Sequence, residues 1–368
     1  MTNASQPAAS EPRILAINPG STSTKIGVLT RGAELFAHTI RHSGEEMEPF
    51  RGQPIFAQLS YRAELIAVAL RAAGFELAVG FAAVAARGGL LPPMECGTYL
   101  VDDAMIAELR RGVRGQHASN LGASLALGFA QAAGAAAYIV DPVTVDEWEP
   151  RARITGSPLV ERTSVGHWLN TKAVAKRFAH EQGRGYKDLR LIVAHMGSGI
   201  TVSAHSQGRA VDSNSIEEGP FGPDRTGSLP SRALASLCYS GKMTEAEMDR
   251  HIFGEGGLLA WLDTNDLMEV ERRIDAGDSK AAAIFEAMVY QIAKQAGAMA
   301  VTLAGKVDAI LLTGGMAHSR RVLELLRPQI EWIAPVKVYP GEDELRALAD
   351  GVFRVLDGEE EARRCAVE

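Results

Sequence analysis

Two short loops carry the side chains best suited to holding a phosphate-like anion. The first is Asn18-Pro19-Gly20-Ser21-Thr22-Ser23-Thr24-Lys25, which gathers an amide, a glycine, four hydroxyls and an ammonium into one turn. Gly20 lets the backbone turn close to a ligand, and Lys25 supplies charge. The second is His195-Met196-Gly197-Ser198-Gly199, where two glycines expose backbone N–H groups of the kind that form anion nests, with His195 placed to hydrogen-bond an oxygen. Neither is a Walker loop, because the GxxxxGK[ST] spacing is absent. The same residues also suit a polar hairpin turn and a core histidine. Against that plain reading stands a symmetry: each loop follows an apolar strand ending in a polar residue (Asn18, His195), then leads through a second strand and a Gly-containing turn to a third. Two such units suggest a duplicated fold that grips phosphate from two sides.

Further polar residues sit where a phosphoryl group in transfer needs them. Such a group requires cations at its equatorial oxygens, and an acid substrate requires one at its carboxylate. Arg87 (Ala-Ala-Arg-Gly-Gly) and Arg225 (Gly-Pro-Asp-Arg-Thr-Gly) both lie in glycine-bounded loops, although a loop arginine is usually a solvated charge. His167 and Asn170, three apart on an expected helix, share a face. Asp141 follows a strand, where its carboxylate can hold an arginine or a hydrated Mg²⁺. Thr313-Gly314-Gly315 ends a strand and leads into a helix, the place where open α/β sheets bind ligands. Glu342, Asp343 and Glu344 open the last helix, where at least one should serve the helix dipole.

The elements that must position these groups alternate between strand and helix, which makes the class α/β. Strands are expected at 14–17, 34–40, 82–86, 136–140, 191–194, 309–312 and 336–339. Helices are expected at 55–73, 104–111 (capped by Asp102 or Asp103), 164–182, 279–303 and 319–326. Thr244-Glu245-Ala246-Glu247 is a capping box, and 214–230 is a loop too long for mere connection. The apolar stretch 121–140 is broken by Ser124, Gln131 and Gly134; it reads as a buried helix and a core strand, not a membrane span. The run 257–262 suits either an interface or a core.

With 368 residues, 46% of them hydrophobic, the chain has material for two cores. A net charge of −7 argues against nucleic-acid binding, but not against a nucleotide pocket. Three scattered cysteines, Cys96, Cys238 and Cys365, offer no zinc or disulfide pattern and fit a reducing, cytoplasmic setting. Residues 1–12 are small and polar and are expected to form a disordered extension rather than a signal peptide.

The combination of motifs resembles the acetate and butyrate kinase family from about Arg13 to Arg354. The resemblance rests on the Asn18 to Lys25 turn, Arg87-Gly88-Gly89-Leu90-Leu91, Gly115-Gln116-His117-Ala118-Ser119-Asn120-Leu121-Gly122, Asp141-Pro142-Val143, Ala194-His195-Met196-Gly197, Glu218-Gly219-Pro220-Phe221, Arg225-Thr226-Gly227, Leu312-Thr313-Gly314-Gly315 and Tyr339-Pro340-Gly341-Glu342-Asp343-Glu344. The first turn is similar to the form found in the butyrate branch of that family. The resemblance implies an actin-like ATPase fold: two duplicated βββαβαβα, ribonuclease H-like domains with an interdomain active-site cleft. On that pattern 13–160 plus 342–368 form the acid and phosphate domain and 161–341 the nucleotide domain.

The implied activity is ATP-dependent phosphorylation of a short carboxylic acid, butanoate, with Mg²⁺. Asn18, Ser21, Ser23 and Lys25 would contact the transferring phosphate, and Gly197, Ser198 and Gly199 would form a second phosphate loop for the nucleotide. Arg87 and Arg225 would bind the carboxylate and stabilise the transition state, and His167 and His195 would bond phosphoryl oxygens. Asp141 and one acid among Glu342, Asp343 and Glu344 would orient an arginine or, with Asn18, the Mg²⁺ shell. Gly314, Gly315 and Met316 would line the adenosine pocket, with Asp266 nearby. A homodimer or higher assembly is implied, with no nucleic-acid or membrane partner. Relatives tend to carry glycine at Ser198 and often arginine at Met268. Kinases for isobutyrate, propionate or acetate remain alternatives, as does an ATP-gated binding protein on the same fold.

Overall fold

The computed structural model describes residues 11–78 and 80–366. Most of the expected extension at 1–12 therefore lies outside the described residues. The chain divides into two compact units, one made of residues 1–144 and 343–368, the other of 145–342.

The first unit is built on a six-stranded sheet of order β3-β2-β1-β4-β6-β5. Its strands are β1 (Ile14–Pro19), β2 (Ser23–Leu29), β3 (Glu34–Arg41), β4 (Ala83–Arg87), β5 (Thr98–Leu100) and β6 (Ala136–Val140). β1, β2 and β3 form an antiparallel meander; β4 and β6 then add in parallel, each after a helical crossover. Every residue of β1 is buried, as expected of a strand covered on both faces. The helices Gly122–Ala133 and Glu344–Leu356 both pack on β1, β4 and β6. The Ala-rich helix stops where expected, at Gly134 in the left-handed region.

The second unit repeats the plan. β7 (Arg190–Met196), β8 (Ile200–Ser206) and β9 (Arg209–Ser213) form the meander, and β10 (Ala309–Gly314) and β11 (Val336–Pro340) extend it in the order β11-β10-β7-β8-β9. The helix Ser279–Thr302 covers β7 and β8, placing Phe285, Met288 and Ile292 in the core, while Trp168–Glu181 packs against β7 and β10. The duplicated core expected from the two loops is present.

Several expectations shift. The units divide after Thr144 and after Glu342, not at 160 and 341. The early break follows from side-chain chemistry: Glu147 forms a buried ion pair with Lys172 and accepts the Ala210 N–H, and Glu149 N–H donates to the Val211 carbonyl at 3.0 Å. The helix expected over 164–182 starts at Trp168, so His167 stands at its N-cap. Thr313-Gly314-Gly315 enters a short 3₁₀ turn, Gly315–His318, before the helix Arg320–Ile330, which Ser319 caps. Asp102, not Asp103, caps its helix. β5 and the helices Ser231–Cys238 and Leu267–Asp275 were not expected. In the run 257–262, Leu258 and Leu262 are core while Trp261 is exposed.

The β8 histidine makes stability depend on pH. His205 is fully buried between the Tyr186 hydroxyl (2.6 Å) and Ser203 Oγ (2.7 Å). Burial, with Lys172 nearby, lowers its pKa from 6.5 to about 3. Below 6.5 the unfolded chain takes up a proton that the folded chain refuses. Stability should therefore fall as pH drops from 6.5 toward 3, by at most about 1.4 kcal/mol per pH unit from this group. Urea midpoints across that window should fall more steeply for the native chain than for His205→Gln; equal slopes would exclude the histidine as the cause.

Candidate active site

In the first unit the loop from Asn18 to Lys25 joins β1 to β2, and its turn closes through the Gly20 N–H to the Ser23 carbonyl at 2.7 Å. Beside it, β4 ends at Arg87 and two glycines. A Cβ on Gly88 would sit 2.6 Å from Pro142 Cβ, and one on Gly89 2.6 Å from Asn120 Cα. The three motifs around Arg87, Asn120 and Asp141 thus pack on one another. Asn120 holds them, accepting the Leu90 N–H at 2.9 Å and donating to the Gly115 carbonyl at 3.0 Å.

Glu344 ties loop and arginine together. It is 6% exposed; its carboxylate accepts from Asn18 Nδ2 and from Arg87 Nη1 (3.2 Å), and it lies 3.6 Å from Lys25 Nζ. Of the three acids at 342–344, Glu344 opens the helix and is also the one that is buried. Asp141 sits at φ 38°, where its carboxylate accepts the Gly97 N–H at 2.7 Å. Among the described residues its hydrogen-bond partner is this backbone amide rather than an arginine, because the turn leaving β6 must be tied down. Ser21 is exposed and Ser23 half-buried at the start of β2.

Sequence reasoning missed Arg62. It projects from the helix Leu59–Ala72 beneath the loop, donating to the Gly20 carbonyl (2.8 Å) and Thr24 Oγ1 (2.9 Å). An arginine in an amphipathic helix reads as surface, and no local signal marked it as buried.

In the second unit His195 ends β7 with its ring stacked on His167, centroids 4.0 Å apart and planes within 9°. His195 Nδ1 is 2.9 Å from Asn170 Oδ1, and Nε2 lies 3.1 Å from Glu342 Oε1. His167 and Asn170 therefore do converge, on His195 rather than along one helix face. His167 Nδ1 is 2.8 Å from the hydroxyl of Thr201, a fully buried residue of β8. If that hydroxyl donates, His167 carries its proton on Nε2. Thr201→Val should then cost about tenfold in kcat, a loss typical of a misplaced general hydrogen-bond donor, while Thr201→Ser keeps most of it. The ¹⁵N shifts of the His167 ring report the tautomer directly, and an unchanged spectrum in Thr201→Val would remove the explanation.

Arg225 lies over the second loop, where a Cβ on Gly199 would come within 2.6 Å of its Nη1. Its backbone is bridged to Phe253, whose ring lies 5.9 Å beneath the guanidinium. Burial lowers its pKa, opposed by Asp224. A cavity of about 740 Å³ opens beside the loop, floored by Gly197, Ser198, Gly315 and Met316 and walled by Met268, Glu271, His318 and Glu342. A nucleoside fits such a volume. Gly314 reaches its position at φ 89° against the Met196 backbone, a place where only glycine avoids both strain and clash. Asp266 caps the helix Leu267–Asp275 by accepting the Met268 N–H at 2.9 Å, so its neighbours, not its own side chain, reach the cavity. No group of three or more metal-ligating side chains occurs among the described residues.

The description of the acetokinase family matches residues 162–333. Over 353 residues the chain is 48% identical to a probable butyrate kinase of Clostridium botulinum (strain Eklund 17B / Type B), covering 95% of this chain and 99% of that protein. It is 47% identical over 354 residues to butyrate kinase 2 of Clostridium acetobutylicum, covering 96% and 99%. Among solved structures, Porphyromonas gingivalis acetate kinase superimposes with a TM-score of 0.78 at 19% identity, over 94% of this chain and 100% of that one. A propionate kinase from Francisella tularensis gives 0.72 at 15%, over 92% and 98%. The fold is the actin-like one.

Proposed function

We propose that this chain, which belongs to the acetokinase family, transfers the γ-phosphoryl group of ATP to butanoate, giving butanoyl phosphate and ADP. The observation that carries the reading is the pair of duplicated strand-turn-strand loops, each with a guanidinium beside it: Arg87 by the first loop, Arg225 over the second. Near-full-length identity with proteins named butyrate kinases supports butanoate as the acid.

The chemistry asks little covalently. Butanoate is ionised at neutral pH and needs no general base, so neither histidine is assigned one. Its oxygen attacks the γ-phosphorus in line as the bond to the ADP oxygen breaks, and no enzyme-bound intermediate is required. The protein positions and stabilises charge. In this reading the first unit holds the acid and the phosphoryl group through Asn18, Ser21, Ser23, Lys25 and Arg87. The second holds the nucleotide on Gly197, Ser198, Gly199, Gly314, Gly315 and Met316, with Arg225, His167 and His195 on phosphoryl oxygens. The cavity beside the second loop supports the nucleotide assignment.

Mg²⁺, when bound, would neutralise phosphate charge while keeping several waters. Glu342, on the cavity wall with Oε1 3.1 Å from His195 Nε2, suits that role by its place beside the second loop. Asn18 Oδ1, buried with no hydrogen-bond partner among the described residues, is a further candidate oxygen. Two more expectations stand as proposals. Free cysteines and use of ATP support a cytoplasmic setting. The helix Ser231–Cys238, which buries none of its residues and is followed by Tyr239 at 92% exposure, supports a homo-oligomer.

The test is acyl phosphate trapped with hydroxylamine from ATP, Mg²⁺ and straight and branched acids of two to five carbons. A kcat/KM maximum at butanoate is expected. A maximum at isobutanoate, propanoate or acetate would reassign the acid within the reaction, since one methylene is worth only about 1–3 kcal/mol. No acyl phosphate from any acid, despite ATP binding, would make the chain a nucleotide-gated binding protein.

A further inference from the structure

Arg62 is 1% exposed, yet every acceptor around it is neutral. Nε and Nη2 donate to Gln58 Oε1 at 3.0 and 2.8 Å, and Nη1 donates to the Gly20 carbonyl and to Thr24 Oγ1. Nη2 also lies 3.5 Å from the Ser21 carbonyl. Among the described residues no carboxylate pairs with it. Burial lowers its pKa to about 10, so it stays a cation at neutral pH. A buried charge without a counter-charge is costly, and proteins normally pair or neutralise it.

Peptide geometry turns this oddity into a device. In a trans peptide the C=O and the following N–H point in opposite directions. With the Gly20 and Ser21 carbonyls drawn toward Arg62, the N–H groups of Ser21 and Thr22 face away from it. Both residues are exposed. Two successive N–H groups pointing out of a turn, backed by a positive charge, make an anion nest. Thr24 completes the support, since its hydroxyl accepts from Arg62 and lies 2.9 Å from His42 Nε2.

We propose that Arg62 is the positioning residue of the first loop: it turns the Ser21 and Thr22 amides outward as a phosphoryl-binding nest, and the phosphoryl group of the acyl phosphate supplies the counter-charge that Arg62 lacks. This rests on the reading that the first unit holds the acid and its phosphoryl group.

The experiment uses the full chain in the ATP-forming direction, with butanoyl phosphate and ADP. Arg62→Gln should raise KM for butanoyl phosphate about tenfold or more and lower kcat, while KM for ADP stays within about twofold. Arg62→Lys, with charge but no fork, should fall between. A merely structural role would lower the melting temperature and the active fraction without moving either KM. If Arg62→Gln does not fold, Arg62→Lys decides: native kcat and butanoyl phosphate KM in that variant would overturn the proposal. Arg87→Ala runs alongside. Loss of turnover there with native constants at Arg62 defeats this proposal alone, whereas full turnover in Arg87→Ala defeats the functional reading beneath it.

Discussion

Arg87→Ala and Arg225→Ala each lower kcat by about 10²–10³-fold and leave the fold standing, the loss expected when one preorganised donor to a developing oxyanion is removed. Neither side chain is core. Arg87 reaches from the end of β4 to Glu344, and Arg225 lies across Gly199 on a backbone pinned by its bridge to Phe253. Lysine should rescue poorly at either site, because a point charge cannot reproduce two parallel N–H bonds to a carboxylate or phosphoryl group. Gly199→Ala should mimic part of the Arg225 defect, since its Cβ displaces the guanidinium without removing it. Steady-state rates with circular dichroism check all four variants. Near-native kcat in both alanine variants would sink the phosphoryl-transfer assignment.

Glu344→Gln should damage stability and turnover together. One buried carboxylate here meets Asn18 and Lys25 of the first loop and Arg87 of β4. Removing its charge leaves two cations facing each other around a neutral amide. Breaking a buried pair by removing one partner costs about 3–5 kcal/mol; with Arg87 and Lys25 partly exposed here, the lower end of that range is expected. Because the loop and the arginine lose their common anchor, kcat should also fall, by about 10²-fold. Urea unfolding and initial rates test the two effects separately. A stable but inactive variant would make Glu344 a participant in the reaction rather than an anchor, and an unstable but active one would make it purely structural. Glu342, two residues earlier and facing His195, should show the opposite balance on substitution, with little loss of stability.

The two glycine loops were legible because their chemistry is local. An apolar strand, a polar terminal residue and a glycine turn can be read without knowing what packs nearby, and β1–β2 and β7–β8 formed as the pattern demanded. Chain-end signals worked for the same reason: Gly134 ends its helix and Thr244 with Glu247 makes a capping box. The duplication followed from the repeat of that local design, while the strand orders of the two sheets came only with the fold.

What sequence left open depended on atoms distant along the chain. The acidic run 342–344 could not be divided by spacing; packing sent Glu344 to Asn18 and Arg87 and left Glu342 against His195. Spacing did not show that the Asp141 carboxylate accepts the Gly97 N–H in the turn after β6. Nor did spacing show that Asp266 caps the unexpected helix Leu267–Asp275. Arg62 carried no signal at all. Its burial depends on a helix settling beneath a loop 42 residues earlier, where Arg62 Nη1 meets the Gly20 carbonyl. Local backbone preference and hydrophobic period are written in neighbouring residues; the partner of a charge is chosen by tertiary packing, and only the folded chain decides it.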